Sequence, residues 1–388
     1  MFKFSEHPPA LKWTYFLVFC LVLWRQARTL LAPWMGYDLP FAFRSDNFFS
    51  FSGGQIRRGL IGEKLILIQS WGLDAVLLYS IFLLAFFVFL YAYIFPKLLQ
   101  SFKISEVILI LLSGFFLMPG LDREMFLLLP AIYFFLRRKF DFLFYVFLAI
   151  TAFVHELSLL LYFPFIWDLA LRVWKEKRLL PMSYLLLITA SFGAVVLLKS
   201  ELNLIPEKSF WPHYGISGLE DHFLYTFAGK GLGATLKLHA SVILGKVQSL
   251  YAIPGLLAFF VLVTLTLKRF GADGISIYYF VAINILLFLL TIDYGRYFYL
   301  LFFFYLLLSQ SGLLNRADEA LSSFKFLLPK FIARALAFKF SYSWYFMALL
   351  IFALAPFGYW LGDTLIEPAL WQELKQIINF QLPKYAGE

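Results

Sequence analysis

The sequence predicts an all-α, polytopic membrane protein whose spanning helices include short re-entrant or broken segments, and three observations carry that expectation. The 388-residue chain is 62% hydrophobic and 15% charged, with a mean hydropathy of +0.79, whereas soluble domains hold about 45–50% apolar and about 25% charged residues. The apolar excess runs along the whole chain rather than in one anchor, so residues 1–388 read as a single integral membrane domain. Lys and Arg collect at alternate breaks between the apolar runs, as the positive-inside bias requires.

A spanning helix needs about 20 mostly apolar residues, and threading the chain on that rule gives about eleven spans with the N-terminus inside. Trp13 to Ala32 is the first candidate and Gly72 to Phe95 the second, followed by an inner turn at Lys97 and Lys103. Ile104 to Leu121 goes out, and Met125 to Leu136 returns to Arg137-Arg138-Lys139. Phe142 to Val154 goes out, and Leu157 to Val173 comes back to Lys175, Lys177 and Arg178. Met182 to Leu198 leads into an outer loop over residues 199–239.

Val247 to Leu267 then descends to Lys268-Arg269, Ile275 to Ile292 ascends, and Tyr297 to Leu314 descends to Arg316. Residues 316–341 mix Lys325, Lys330, Arg334 and Lys339 with Phe and Leu, the pattern of an interfacial amphipathic segment on the cytoplasmic face. Tyr345 to Leu361 is the last candidate. The run after the N-terminus lacks a small-residue cleavage site and reads as a retained helix.

Other classes are excluded by what is absent. The net charge of +9 lies in the turns and forms no long basic tract, so it does not point to nucleic acid. Cys20 is alone, so neither a disulfide nor a cysteine metal site forms within the chain. The 49 phenylalanines suit packing and lipid-facing surfaces and carry no chemistry of their own.

The chemistry sits in four charged clusters that the topology places on one side: Gln55-Ile56-Arg57-Arg58-Gly59, Asp122-Arg123-Glu124, His155-Glu156 and Asp293-Tyr294-Gly295-Arg296. Ionisable groups at membrane depth are costly and usually face a cavity or one another. Two neighbouring runs are short. Met125 to Leu136 makes about 18 Å of helix and Phe142 to Val154 about 20 Å, against a hydrocarbon core of about 30 Å. Either these segments are re-entrant, or they continue through the charged clusters; both place Asp122-Arg123-Glu124 and His155-Glu156 in a pocket opening outward.

In the first outer loop, residues 33–71, Gly53-Gly54 and Gly59 bracket Arg57-Arg58. Such an arginine pair suits bidentate phosphate binding, or else the loop is held by ion pairs to Asp46 or Glu63. Asp38 and Asp46 offer a general base for an acceptor hydroxyl, though Asp38, before Leu39-Pro40, also fits a turn. Arg123 paired with Glu156 would neutralise charge at depth, while His155 can serve as acid, base or donor. A lone His-Glu is too sparse for a metal site. Arg296, beside Tyr297, suits a phosphate head group, or a snorkelling partner for Asp293. In the 199–239 loop, Trp211-Pro212-His213-Tyr214 and Glu220-Asp221-His222 suit carbohydrate stacking. Gly229-Lys230-Gly231-Leu232-Gly233 lacks the ending of a nucleotide loop.

Asp122-Arg123-Glu124-Met125-Phe126, the basic turn Arg137-Arg138-Lys139 and His155-Glu156-Leu157-Ser158, in this order, resemble the core of EpsG-type and Wzy-type exopolysaccharide polymerases. The arrangement is also similar to the multispanning GT-C glycosyltransferases, which place an acidic residue in the first outer loop. Glu156 and the Arg57-Arg58-Gly59 segment depart from the pattern, leaving polymerase and single-sugar transferase both open. The resemblance implies a GT-C-like bundle in a bacterial inner membrane, acting on a polyprenyl-linked sugar, alone or with other polysaccharide-assembly proteins; the residues themselves name no cofactor and no metal ligands. It further implies Asp46 or Asp38 as base, Arg58, Arg123 and Arg296 on lipid-linked phosphate, and His155 at the acceptor or leaving group. A flippase or transporter for a lipid-linked or anionic substrate is the competing expectation, although such folds usually show related halves and none is evident here. A third is a non-enzymatic assembly subunit whose clusters are structural ion pairs.

Overall fold

The computed structural model describes residues 8–31, 67–113, 123–155, 157–197, 252–270, 275–290, 294–327 and 341–354. These are mostly helical, and among the described residues there is no strand. The apolar helices fit an all-α membrane bundle. Leu77–Leu99 and Leu157–Glu176 are long and apolar enough to cross a membrane by themselves.

Helix α1 (Pro9–Leu31) runs antiparallel to α2 (Ala75–Phe89). Asp74 caps α2 by accepting the Leu77 N–H at 2.9 Å. The rod continues through a π-helical turn, Leu90–Ile94, into α3 (Phe95–Leu99). Pro96 explains that turn. Its ring would collide with the carbonyl four residues back, and it has no N–H to give. The ladder therefore widens so that the Phe95 N–H reaches Leu90. The Tyr91 carbonyl then faces the proline in the π register, and the buried Tyr15 hydroxyl donates to it from α1.

The expected turn at Lys97 and Lys103 lies later, over residues 100–103, because the helix runs on through Lys97, whose ammonium sits over the Tyr93 ring at 3.8 Å. Helix α4 (Ile104–Leu112) follows and ends at Ser113, well before the expected boundary at Leu121; residues 114–122 lie outside the described part. At its start the Glu106 carboxylate reaches back to accept the Lys103 N–H at 2.7 Å, the carboxylate half of a capping box.

A 3₁₀ helix, Arg123–Leu128, leads directly into α5 (Leu129–Arg137). Arg138 takes a left-handed φ of 55° to end α5, and Asp141 caps α6 (Phe142–Val154). His155 turns the chain into α7 (Leu157–Glu176), and α8 (Leu179–Leu197) returns. Helices α6 and α8 pack closely, with Tyr145 and Tyr184 stacked at 4.7 Å.

The second half contains α9 (Ala252–Arg269), α10 (Ile275–Leu290) and α11 (Tyr294–Ser311). Gly312, at φ 78°, then bends the chain by 90° into α12 (Leu313–Leu321) and a 3₁₀ turn, Ser322–Leu327. The amphipathic segment expected from residue 316 thus begins at Leu313; residues 328–340 are outside the described part. Leu313, Leu314, Ala317, Ala320 and Leu321 are buried, while Asn315, Arg316 and Glu319 are exposed. Asp318 accepts the Ser276 N–H at 2.7 Å, so α12 caps α10 from outside that helix. Finally α13 (Tyr342–Leu354) packs on α9 and α4.

The basic turns meet at one end of the bundle. Arg138 donates to the Gln310 carbonyl at 2.9 Å, and the Gln310 side-chain amide donates to the Leu98 carbonyl at 2.8 Å. Arg269 reaches Glu106 at 2.5 Å and the Ser101 carbonyl at 3.3 Å. Phe140 lies under the Arg172 guanidinium at 5.7 Å. This agrees with the alternating basic turns read from the sequence; the opposite, far end holds the helix termini near Arg123, His155 and Arg296.

Candidate functional site

His155 is the best-defined member of the expected site. It is 5% exposed, with φ −163° and ψ 136°, an extended residue between two helices. Its Nδ1 accepts the Leu157 N–H at 3.0 Å, and its carbonyl accepts the Ser158 N–H at 3.0 Å. An imidazole side chain thus does the work that Ser or Asp does at an ordinary N-cap. Because Nδ1 is the acceptor, the neutral ring carries its proton on Nε2.

Helix rise fixes the depth of this tip. Fourteen residues separate Asp141 from His155, which is about 20 Å along α6, and the hydrocarbon core is about 30 Å thick. His155 therefore lies well short of the far surface if Asp141 marks the near one. The two short segments noted in the sequence resolve differently. The first takes in Arg123 and Glu124 of its cluster, since the 3₁₀ helix begins at Arg123; the second ends before its cluster, at Val154.

Arg123 and Arg296 can be placed on the same scale through their backbones. The Arg138–Gln310 contact brings the ends of α5 and α11 within one arginine side chain of each other. From there Arg296 is fourteen residues, or about 21 Å, toward the far end, and Arg123 about 26 Å through α5 and the 3₁₀ helix. The 3₁₀ helix packs against both α6 and α11. Three of the four clusters therefore have chain positions at one end and at comparable depth.

Tyr162 forms the layer beneath them. Its hydroxyl donates to the Leu127 carbonyl at 2.6 Å and accepts the Ala131 N–H at 3.2 Å. These are the two groups that an uninterrupted α-helix would pair with each other, so the phenol is inserted into the ladder where 3₁₀ changes to α, next to Pro130. Its ring meets Phe304 edge-on at 5.3 Å, joining α7, the 3₁₀ segment and α11 in one plane. Arg123, His155 and Arg296 lie roughly 8–12 Å beyond that plane by helix rise. Ser158, one turn from Tyr162 on the same face of α7, is fully buried, and its hydroxyl has no partner among the described residues. It is a polar group directly under the candidate site.

Other expected site residues lie outside the described part: Asp38, Asp46, Arg57, Arg58, Asp122, Glu156 and Asp293. Glu124 follows Arg123 in the first turn of the 3₁₀ helix, and Tyr297 follows Arg296 in the first turn of α11. The aromatic and acidic groups of the 199–239 loop are also outside the described residues. Among the described residues no three His, Cys, Asp or Glu side chains gather as metal ligands.

One buried charged centre escaped the sequence reading. Glu106 is fully buried at the basic end, paired with Arg269, whose guanidinium lies 5.1 Å from the Phe102 ring and 5.2 Å from the Tyr345 ring. The only sequence signal was a carboxylate three residues after Lys103, the spacing of a capping box. Comparison with protein-family models, curated proteins and solved structures finds no match to the chain.

Proposed function

We propose that the protein is a membrane glycosyltransferase or polysaccharide polymerase, transferring sugar from a polyprenyl-(di)phosphate-linked donor in cell-surface polysaccharide synthesis. The reading places it in a bacterial cytoplasmic membrane, with its N-terminus cytoplasmic and the far end of the bundle outside. One observation carries it: Arg123, His155 and Arg296 take chain positions at one end and similar depth, above the Tyr162 layer. Two arginines whose backbones lie near lipid depth suit a phosphate-linked lipid entering sideways.

In this reading Asp46 or Asp38 accepts the proton of an acceptor hydroxyl, and that oxygen attacks the anomeric carbon of the donor sugar. The bond from that carbon to the phosphate oxygen breaks, and the polyprenyl (di)phosphate leaves with the electron pair. Arg123 and Arg296, with Arg57 or Arg58, stabilise the growing negative charge. His155, holding its proton on Nε2, donates a hydrogen bond to the leaving oxygen or the acceptor.

The test is turnover of a lipid-linked oligosaccharide by the purified protein in vesicles, with product length resolved by electrophoresis. Arg123→Ala and Arg296→Ala should each lower turnover on the order of 100-fold, as loss of one charge-stabilising donor does elsewhere. Unchanged turnover in both would overturn the site assignment. Lipid translocation without a new glycosidic bond would assign the protein to transport instead.

A further inference from the structure

At the basic end, away from the proposed site, the turns 137–139 and 175–178 lie side by side. Helices α6 and α8 start from them in parallel, with Phe142 6.4 Å from Tyr184, and Arg172 on α7 donates to the Tyr145 hydroxyl on α6 at 2.8 Å. The two turns carry Arg137, Arg138, Lys139, Lys175, Lys177 and Arg178, all exposed. The neighbouring acids are largely occupied. Asp168 holds Arg172 at 2.9 Å, and Asp141 accepts the Tyr133 hydroxyl at 2.7 Å and the Phe144 N–H at 3.3 Å. Glu176, 3.7 Å from Arg178, offsets one of the six cations.

Two further features distinguish this notch from an ordinary inner loop. Both turns put a basic residue where a left-handed backbone favours glycine, Arg138 at φ 55° and Lys177 at φ 50°. Such strain persists only where the surrounding structure fixes it, so both turns hold their cations in set positions. Directly beside the cations lies exposed apolar surface: Trp174 is 80% exposed, Leu179 79%, Leu180 61% and Phe142 57%. Cations bordering apolar side chains and an exposed Trp match a head group above its acyl chains.

We propose that this notch binds an anionic phospholipid, with the phosphate on Lys139, Lys177 and Arg178 and the acyl chains along Trp174, Leu179 and Phe142. The inference does not depend on the proposed transferase activity, and its site is at the opposite end of the bundle. The two basic turns are the ends of α5 and α7, the helices that carry the Tyr162 layer, so a bound lipid would brace the elements under the candidate site.

The test compares phosphatidylglycerol with phosphatidylcholine of the same acyl chains, scored as lipid retained on the full-length protein by native mass spectrometry. The variant K139Q/K177Q/R178Q is set against K12Q/K97Q/R316Q, which removes equal charge elsewhere. Phosphatidylglycerol retention should fall about fivefold per cation, roughly 100-fold for the three, as expected near an anionic surface. The control triple should stay within about twofold of wild type, and phosphatidylcholine retention should not change in either. Equal losses in the two triples, or no preference for phosphatidylglycerol, would overturn the proposal. Displacement by millimolar inorganic phosphate without regard to acyl chains would reassign the notch to a free anion.

Discussion

Tyr279 on α10 donates its hydroxyl proton to the Leu160 carbonyl on α7 at 2.5 Å. Leu160 needs that donor because Pro164, four residues on, has no N–H to offer it. Inside a membrane no water relieves such a group, so a neighbouring helix must. The same logic joins Tyr15, Tyr91 and Pro96. Tyr279→Phe should destabilise the protein by about 1–3 kcal/mol, the usual consequence of one unsatisfied buried acceptor. Pro164→Ala restores the intrahelical donor, so adding it to Tyr279→Phe should recover most of the loss. Thermal unfolding of the four proteins of that cycle checks this; strictly additive effects would rule out the coupling.

The Glu106–Arg269 pair permits a second cycle. Glu106 is fully buried and its two oxygens are divided between Arg269 at 2.5 Å and the Lys103 N–H at 2.7 Å. Removing one partner strands a buried charge, whereas removing both does not. Arg269→Met alone should therefore cost about 3–5 kcal/mol. The double variant Glu106→Leu/Arg269→Met should be more stable than the single one, measured by unfolding in one detergent. A double variant no better than the single one would mean that the cap on Lys103 outweighs the ion pair.

His155 has separable duties on its two ring nitrogens. Nδ1 holds the Leu157 N–H at 3.0 Å and keeps the entry to α7, while Nε2 carries the ring proton that the proposed transfer uses. Asn places its amide oxygen near the position of Nδ1 and offers nothing at Nε2; Gln does the reverse. His155→Asn should keep thermal stability near wild type and lose glycosyl transfer. His155→Gln should lose about 0.5–2 kcal/mol, the range for a missing cap, and keep more of the activity. The opposite ranking in turnover would make His155 a purely structural residue.

Helix existence, class and the alternating basic turns were legible because apolar run length and Lys/Arg position are local signals. Phe142–Val154 begins and ends where the apolar run does, since Asp141 and His155 are polar and fit caps. Boundaries slipped where a charged residue sits within a helix or an apolar run outlasts one. The rod runs on through Lys97, whose ammonium lies over Tyr93 one turn back, and α4 stops at Ser113 although the sequence stays apolar beyond it. The gathering of Arg123, His155 and Arg296 positions followed from counting spans. The Tyr162 layer did not, because a tyrosine in an apolar run looks the same whether it faces lipid or bridges Leu127 and Ala131. Glu106 was missed for a similar reason: its partner is 163 residues away.

Asp141 gives a pH-dependent outcome. Burial pushes its carboxyl up, but hydrogen bonds from the Tyr133 hydroxyl and the Phe144 and Leu143 N–H groups outweigh burial and hold it below the ordinary carboxylate range. The folded state thus binds this proton less readily than the unfolded chain, whose Asp titrates near about 3.9. Its contribution is fully present above that value and disappears as pH falls through the lower folded value. Asp141→Asn keeps a side-chain oxygen for the Phe144 N–H and carries no charge. The gap in unfolding midpoint between wild type and Asp141→Asn should therefore be constant from pH 7 to about pH 5 and narrow below about pH 4. A gap that widens in acid would mean that Asp141 is protonated more readily in the folded protein, and that Tyr133 does not hold the carboxylate in its charged form.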